Sequence, residues 1–517
     1  MSTPVRNLSP IAAAMAFALT SFSSTSVMAD EAKAEDKKIE AITVTATKRS
    51  QVIYEVPIAM SAFSGDDLDS QGISDITDVG KFVPNLNITG FSAGHNSSAN
   101  PFIRGIGLQD HLITTDPGVS VYVDGVYLGR QVGQNWNLAN IERIEVLRGP
   151  QGTLYGRNSI GGAINIITKQ PDQAAVTKVS AEVGTRGRLK GSIFTNQAVT
   201  EDLAFNFNMG FNRRGGLGEF INLPNAEYDV GENQEFHGRL SVKYNASEDL
   251  RLVFTADAND GEGGTRPFTT LIDELPNGRL AQSGLTNADV AADPYDNATS
   301  TIETATVSNK ANGISLTAEY DINADLGTKF IFSKRSSEYK AGLDDDGTAV
   351  KLDHYPERGT ADQTSVELQL TGYLGSVDFV TGVYWFNEEG SNRQSDTEAQ
   401  FDGGPTKLEL DQETTSRAVF VNVGYDATDD LRLSGGVRYT EDETLLVVLN
   451  LDDRESNDYT FSIEESHLTG VSSVDVLYST TDVTPNLPQI NENGGFTDYV
   501  PIDAPLPPFS IYVLRLN

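Results

Sequence analysis

A small α+β domain followed by an antiparallel transmembrane β-barrel is the fold class the sequence predicts, and three observations predict it. Up to about Asp172, short strand-like runs mix with helix caps and with a dense glycine cluster. From Val176 onward, runs of about ten residues alternate apolar and polar positions. After the N-terminus no stretch approaches the ~20 consecutive apolar residues that a membrane helix requires, so a membrane form of this chain must cross as strands.

Composition narrows the function before any motif is read. The 517 residues suffice for more than one domain. With 38 Lys+Arg against 73 Asp+Glu, the formal net charge is −35. Phosphate backbones repel so acidic a surface, which argues against nucleic acid as a partner, and the same balance argues against a helix docked on anionic lipid. No cysteine is present, which excludes disulfides and thiolate metal sites. The five histidines, His95, His111, His237, His354 and His467, are scattered without ligand spacing, so no metal or cofactor is expected. No hydrolase-type Ser/His/Asp order occurs, and acidic pairs are too common here to single out a catalytic one; no enzyme is expected.

The chain opens like an exported protein. Arg6 supplies a positive start, Ile11–Leu19 a short apolar run, and Val27-Met28-Ala29 small or apolar cleavage subsites, so residues 1–29 read as a signal peptide. The charged, alanine-rich Asp30–Lys38 is expected to be disordered. It leads into Ile39–Lys48, IEAITVTATK, a run of high β propensity with little to pack against locally.

In the small domain, Val56–Ala62 reads as a strand, Ser64-Gly65-Asp66-Asp67 and Ser74-Asp75-Ile76 as helix caps, and Pro84 as a stop after Val79 and Phe82. Strands follow at Leu86–Ile88, Phe102–Ile103 and Val119–Val126, the last around a hairpin turn at Asp124-Gly125. Two further runs, Ile141–Leu147 and Ala163–Thr168, bracket Gly149, Gly152, Gly156, Gly161 and Gly162, a density that implies a compact, turn-rich connection. The segment lacks the GK[ST] ending of a phosphate loop.

The alternating runs place Phe205, Phe207, Met209 and Phe211 on one face and Asn206, Asn208 and Gly210 on the other. Phe236, Leu240, Val242 and Tyr244 fall together, as do Leu252, Phe254, Ala256 and Ala258. Counting similar runs to Leu431–Tyr439 gives about eleven strands. Asn245–Asp249 and Asp426–Asp430 read as tight turns, and Asp260–Asn312 and Asp344–Thr364 as long acidic external loops. Asp344-Asp345-Asp346-Gly347 lacks the spacing of a calcium-binding hand, since Thr348 and Ala349 follow, and reads as a solvated loop.

Over roughly Glu40 to Asp442 the chain resembles the TonB-dependent outer-membrane receptors. Three stretches carry the resemblance in family order: NPFIRGIG at Asn100–Gly107, GVSVYVDGVYLGR at Gly118–Arg130, and IERIEVLRGPQGTLYGRNSIGGAINIITK at Ile141–Lys169. The plug motif so implied comprises Arg104, Gly105, Asp124, Gly125, Arg148, Gly149, Gly152, Gly156, Arg157, Gly161 and Gly162. The resemblance also implies a TonB box at Glu40, Ala41, Ile42, Thr43, Val44, Thr45 and Ala46, a peptide that pairs by strand addition with the energising TonB protein of the periplasm. Localisation in the outer membrane, lipid around the barrel, and uptake of a small-molecule or metal-chelate ligand, a ferric siderophore first, are what it implies for partners and function. Arg104 and Arg148, each before a glycine at a strand end, are expected to reach acidic residues of the barrel's inner wall.

Receptors of this kind close with about twenty-two strands, so eleven leave the barrel incomplete. After RLSGGVRYTEDE at Arg432–Glu443 the pattern stops, and VLNLDD at Val448–Asp453 with PLPPFSIYVLRL at Pro505–Leu516 resemble the carboxy-terminal β-domain of α-L-arabinofuranosidases. The expected layout is a signal peptide at 1–29, a periplasmic segment with the TonB box at 30–49, a plug at 50–172, a partial barrel at 173–443 and an atypical β-rich tail at 444–517 that stands apart from the barrel sheet. Two other readings stay open: a secreted or periplasmic binding module with a plug-like fold, and a truncated receptor fused to a glycosidase remnant.

Overall fold

The structure, a computed structural model, describes residues 42–516 apart from 74–75, 91–98, 110, 133–140, 267–290, 292, 294, 300–304, 345–346, 350–353, 400–403, 429–430, 451–460, 466–473, 480–486, 488, 490–493 and 500–509. The expected signal peptide, Glu40 and Ala41 of the expected TonB box, and the Ser74-Asp75 cap lie outside the described residues.

Five short strands build the centre of the small domain: Met60–Ser64, Val119–Val123, Val126–Leu128, Ile141–Arg148 and Gly162–Thr168. They pair in the order 60–64, 141–148, 162–168, 119–123, 126–128. Strands 119–123 and 162–168 run parallel; the other pairings are antiparallel. The Asp124-Gly125 hairpin forms as expected, with both residues at positive φ, 50° and 85°. The helix Gly65–Ser70 begins on a reciprocal cap, in which Asp67 N–H donates to Ser64 Oγ at 3.1 Å and Ser64 N–H to Asp67 Oδ2 at 3.1 Å. The first strand starts at Met60 rather than Val56, because Pro57 offers no ladder donor and a 3₁₀ turn occupies Ile53–Glu55. The helix Ile76–Val79 ends well before Pro84, leaving Phe82 exposed.

Both faces of this sheet are covered, and the strands show it by period-two alternation between two clusters. Val119, Val121, Val123, Ile144, Val146, Ile164 and Ile166 pack on one side with Leu68, Ile76 and Val79 of the helices. Tyr122, Leu147 and Ala163 point to the other side, where they meet Val380, Phe386 and Phe420.

Those last three residues belong to the wall. Eleven consecutive strands, from Val176–Val183 to Leu431–Asn450, form an antiparallel meander in which each pairs with the next. The alternation is clear in the inner strands of the meander, such as Leu203–Arg214, whereas Val176–Val183 is exposed on both faces. Asn206, Asn208, Arg239, Ser241, Thr255, Ser333, Ser365, Glu367 and Asp378 are buried toward the small domain, while Leu240, Phe254, Leu316, Leu368, Val383 and Val419 are exposed on the opposite face. Tyr244, Tyr320 and Tyr425 sit on that outer face just before the tight turns, an aromatic row of the kind found at a membrane interface. No described helix is long and apolar enough to cross a membrane.

The strands are longer than the runs of ten that the alternation marks, reaching 25 residues at Gly404–Thr428. Much of the expected loop Asp344–Thr364 is strand, paired from Asp344↔His354 to Lys334↔Thr364, and the ladder also enters Asp260–Asn312 as far as Gly264↔Thr306. Above the apolar band the side chains lose their alternation, but the backbone groups still need partners and find them by extending the ladder.

The expected boundary at Glu443 falls inside Leu431–Asn450. Ser510–Leu516 pairs antiparallel with Leu445–Asn450, and Val474–Ser479 pairs with Ser510–Leu516, so these parts of the tail extend the sheet instead of standing apart from it. An unpaired edge strand is a poor end for a sheet, and Ser510–Leu516 supplies its ladder, past three intervening strands. Phe461–Glu465 and Gly494–Tyr499 make a separate pair. Among the described residues Val176–Val183 is hydrogen-bonded only to its neighbour Leu189–Ala198, so the meander does not close.

If the helix-side cluster holds the small domain together, Ile144→Ala, at a fully buried position, should lower its stability by about 2–5 kcal/mol. Val179→Ala on the exposed edge strand should change it by no more than about 0.5 kcal/mol. Urea titration of the detergent-solubilised protein, followed by protease resistance of the small domain, separates the two.

Candidate functional site

The seam between the small domain and the wall is where the sequence motifs, the buried charges and the N-terminal segment meet. Its centre is apolar and aromatic. Tyr122 and Tyr155 stand edge-on with centroids 5.1 Å apart, and Tyr127 tilts against Phe386 at 5.7 Å. Burial pushes the Tyr122 phenol well above its usual range, so it remains a neutral donor and hydrogen-bonds the Tyr155 carbonyl. Tyr127 is likewise raised by burial and accepts from Asn158 Nδ2 at 2.7 Å.

Ile42–Ala46, the described part of the expected TonB box, lies along this seam. Thr43 and Val44 pair with Val52 and Gln51 in a tight hairpin whose turn has Lys48 at φ 58°. Val44 and Ala46 are fully buried among Tyr122, Leu147 and Tyr155. Thr45 donates from its backbone N–H to Glu145 Oε1 at 2.8 Å.

Charged pairs ring the apolar centre and tie it to the wall strands. Lys48 pairs with Glu367 and Arg49 with Asp378, all four side chains largely buried. Burial lowers the Lys48 pKa against the opposing pull of Glu367. Arg130 donates to Glu388 through Nε at 2.8 Å and to the Thr115 carbonyl through Nη1 at 3.0 Å. On the far side Asp124 accepts from Thr168 N–H at 2.9 Å, Thr168 Oγ1 at 2.7 Å and Arg239 Nη2 at 2.5 Å. Arg239 also lies 3.6 Å from Asp257, which takes both arms of Arg335 at 2.8 and 3.0 Å. A ladder of alternating charge thus runs from the small domain's hairpin across the wall. Nearer the long-strand end, His111 Nε2 lies 2.9 Å from both oxygens of Glu357, which also accepts from Tyr339 and Asn392; the Ile113 N–H donates to Asn392 Oδ1 at 2.5 Å. Beside that network a crevice is lined by Arg130, Val132, Ser337, Ala361 and Gln363. Among the described residues no group of three or more His, Asp or Glu is placed to hold a metal ion.

The plug-motif positions divide. Asp124, Gly125 and Arg157 sit at the seam: a Cβ on Gly125 would approach Ile331 Cδ1 to 2.9 Å, and Arg157 donates to Asp116 Oδ2 at 2.6 Å beneath the Phe386 ring. Gly156 faces the Arg438 guanidinium, while Gly149 and Gly161 are joined by a 2.9 Å backbone hydrogen bond. Gly162 is required sterically: at φ 152°, its Cβ would stand 2.1 Å from the Leu147 carbonyl oxygen. Gly152 opens a short helix with free space around it. Arg104 and Arg148 do not reach the wall as expected. Arg104 occupies an exposed turn with Gly105, at φ 55° and 82°, and Arg148 donates to the Pro84 carbonyl at 3.4 Å. Among the described residues neither has an acidic partner; each sits at a strand end where the chain turns away from the seam.

Lys48, Arg49, Arg130 and Glu145, with Glu367, Asp378 and Glu388 on the wall, are seam positions that the sequence reading missed. Parity was the available signal for the wall: Glu367 falls on the polar face with Ser365 and Gln369, so a charge there had to face inward. Removing one member of a buried pair strands the other charge. Asp124→Ala should therefore destabilise the small domain's seating by about 3–5 kcal/mol. Arg148→Ala should cost no more than about 0.5 kcal/mol, since its one described contact is a long, exposed hydrogen bond. Thermal release of the small domain to trypsin compares the two, and a double-mutant cycle with Arg239→Ala isolates the pair.

Residues 52–163 match the family model described as TonB-dependent Receptor Plug Domain. The iron-regulated outer membrane virulence protein of Vibrio cholerae is 37% identical over 273 residues, covering 50% of this chain and 39% of that protein. The pesticin receptor of Yersinia enterocolitica is 23% identical over 408 residues, 78% of this chain and 56% of that one. Among solved structures, the ferric yersiniabactin uptake receptor FyuA of Yersinia pestis superposes with a TM-score of 0.60 at 20% identity, over 75% of this chain and 57% of its own. The ferric-catecholate import receptor Fiu of Escherichia coli superposes at 0.59 with 19% identity, over 78% and 59%. The chain thus spans about half the length of the relatives it matches. Its fold is that of the TonB-dependent receptors: a plug domain seated against an open, receptor-type barrel wall.

Proposed function

We propose that this chain acts as an outer-membrane receptor for TonB-energised uptake of a scarce ligand, and that the ligand is a ferric siderophore. The observation that carries the reading is the hairpin 42–52, bound at once to the plug sheet through Glu145 and to the wall through Lys48 and Arg49. A pull on its N-terminal end acts on the plug and the wall together. The outer strand faces, apolar with a tyrosine row, support a lipid-embedded wall, and relatives named for iron regulation and ferric-chelate uptake support the cargo class. On this reading 30–49 is the periplasmic segment, Glu40–Ala46 the TonB box, 50–172 the plug and 173–443 the receptor part of the wall. The arabinofuranosidase-like stretch at 444–517 is read as a fused, non-catalytic segment. Binding is assigned to the plug apex and the crevice beside Arg130; no catalytic residue is proposed.

The test is binding of a panel of ferric siderophores to the detergent-solubilised protein, and their uptake by cells in which it is the sole receptor, with and without TonB. Absence of binding across the panel, or uptake indifferent to TonB, overturns the reading. Ile42→Pro should abolish uptake and leave binding intact. In the resting hairpin Ile42 contributes its carbonyl, accepting from the Ile53 N–H at 3.0 Å, so proline there removes a donor needed only by the incoming strand. Normal uptake by this variant would count against the TonB-box assignment.

A further inference from the structure

Glu145 is a fully buried carboxylate in the middle of the plug sheet. Its neighbours Ile144 and Val146 face the helix-side core, so parity turns Glu145 to the seam, where it stands under the N-terminal hairpin. Oε1 accepts from Thr45 N–H at 2.8 Å, Thr45 Oγ1 at 3.1 Å and Arg143 Nε at 2.8 Å; Oε2 accepts from Asn165 Nδ2 at 3.2 Å. Arg143 Nη2 and Asn165 Nδ2 reach the same Thr45 hydroxyl at 3.3 and 3.4 Å. Among the described residues, the side-chain hydrogen bonds between 42–46 and the plug sheet therefore all converge on Thr45 and are organised by one carboxylate.

We propose that Glu145 is a positioning residue that sets how readily the segment 42–46 leaves the seam, and so how often it is presented to a partner. When the segment lifts, Glu145 loses two of its donors and keeps Arg143 and Asn165, while Val44 and Ala46 pass from full burial into water. The carboxylate is not left bare, because Arg143 still balances its charge. The docked and released states can therefore both exist without an uncompensated buried ion, which is what a reversible hold requires. A carboxylate with Thr45 as its sole partner would be a permanent clamp, and a neutral residue would give a weaker hold. The functional consequence rests on reading this segment as the TonB box; the hold itself does not.

The chain has no cysteine, so a single introduced thiol reports release directly. In a Val44→Cys background, the maleimide reaction should be slow, and Glu145→Gln should accelerate it at least tenfold. Thr45→Val should also accelerate it, and the two changes together should gain far less than the product of their separate effects, because they remove the same interaction. A thiol placed in the plug core by Ile164→Cys should stay protected in every variant. The inference is overturned if Glu145→Gln leaves the labelling rate at position 44 within twofold, or if its effect multiplies independently with that of Thr45→Val. It is also overturned if the thiol at position 164 becomes reactive in parallel, which would mark general loosening. Affinity for the soluble periplasmic domain of TonB, measured on the same variants without the probe, separates this inference from the reading beneath it. Faster labelling with tighter TonB binding supports both; faster labelling with no TonB binding in any variant keeps Glu145 as the hold and removes the TonB-box assignment.

Discussion

A sheet covered on both sides has no face on which to place an unpaired polar group, and that constraint governs the region between the plug and the wall. Where Tyr122, Leu147, Leu154 and Tyr155 meet Val380, Phe386 and Phe420, water is excluded. A charge at the rim therefore needs a partner, a counter-charge for most and, for Arg438, the rings of Tyr384 and Phe420. Lys48, Arg49, Arg130 and Arg239 pair across the boundary between plug and wall. The apolar centre supplies the area, and the pairs fix the register in which it can be buried. Shifting the plug by one residue along a wall strand would face Tyr127 with an outward position and separate several buried pairs at once.

What the sequence discloses follows the strength of the local signal. Alternation in Leu203–Asn212 or Leu250–Asn259 is enough to orient the wall, because an apolar outer face and packed polar groups on the inner one impose period two without ambiguity. The turn at Asp124-Gly125 and the steric need for Gly162 are equally local. The pairings are not. Arg104 and Arg148 look like wall contacts because each precedes a glycine, yet which side of a strand end faces the wall is decided by partners more than a hundred residues away. Arg130 and Arg49 carry no such flag and make the contacts. Glu145 is hidden differently: inside IERIEVLRGP it reads as one more strand carboxylate, and its importance appears only when Thr45 is brought against it.

The upper limits of the wall strands escape the sequence for a related reason. A reader of periodicity stops where the period stops, near Ser365 on one strand and Asn387 on the next. The backbone does not stop there, because neighbouring strands that stay side by side go on pairing their amides and carbonyls whatever the side-chain pattern. The tail raises the same point. Ser510–Leu516 is short, of unfamiliar texture and preceded by prolines, but the open edge of Leu445–Asn450 needs hydrogen bonds, and the tail strand supplies them.

The overshooting strands have a consequence for how such a wall can change. A 25-residue strand extends about 80 Å, at roughly 3.3 Å per residue, whereas the apolar band of an outer-membrane barrel is about 25 Å tall. Much of its length therefore extends past a band of that height, held by main-chain ladders that are indifferent to sequence. Outward positions such as Arg358, Asp362 and Glu389 can be rewritten residue by residue with the scaffold beneath them intact. Sequence change meets little resistance there from the requirement to remain folded.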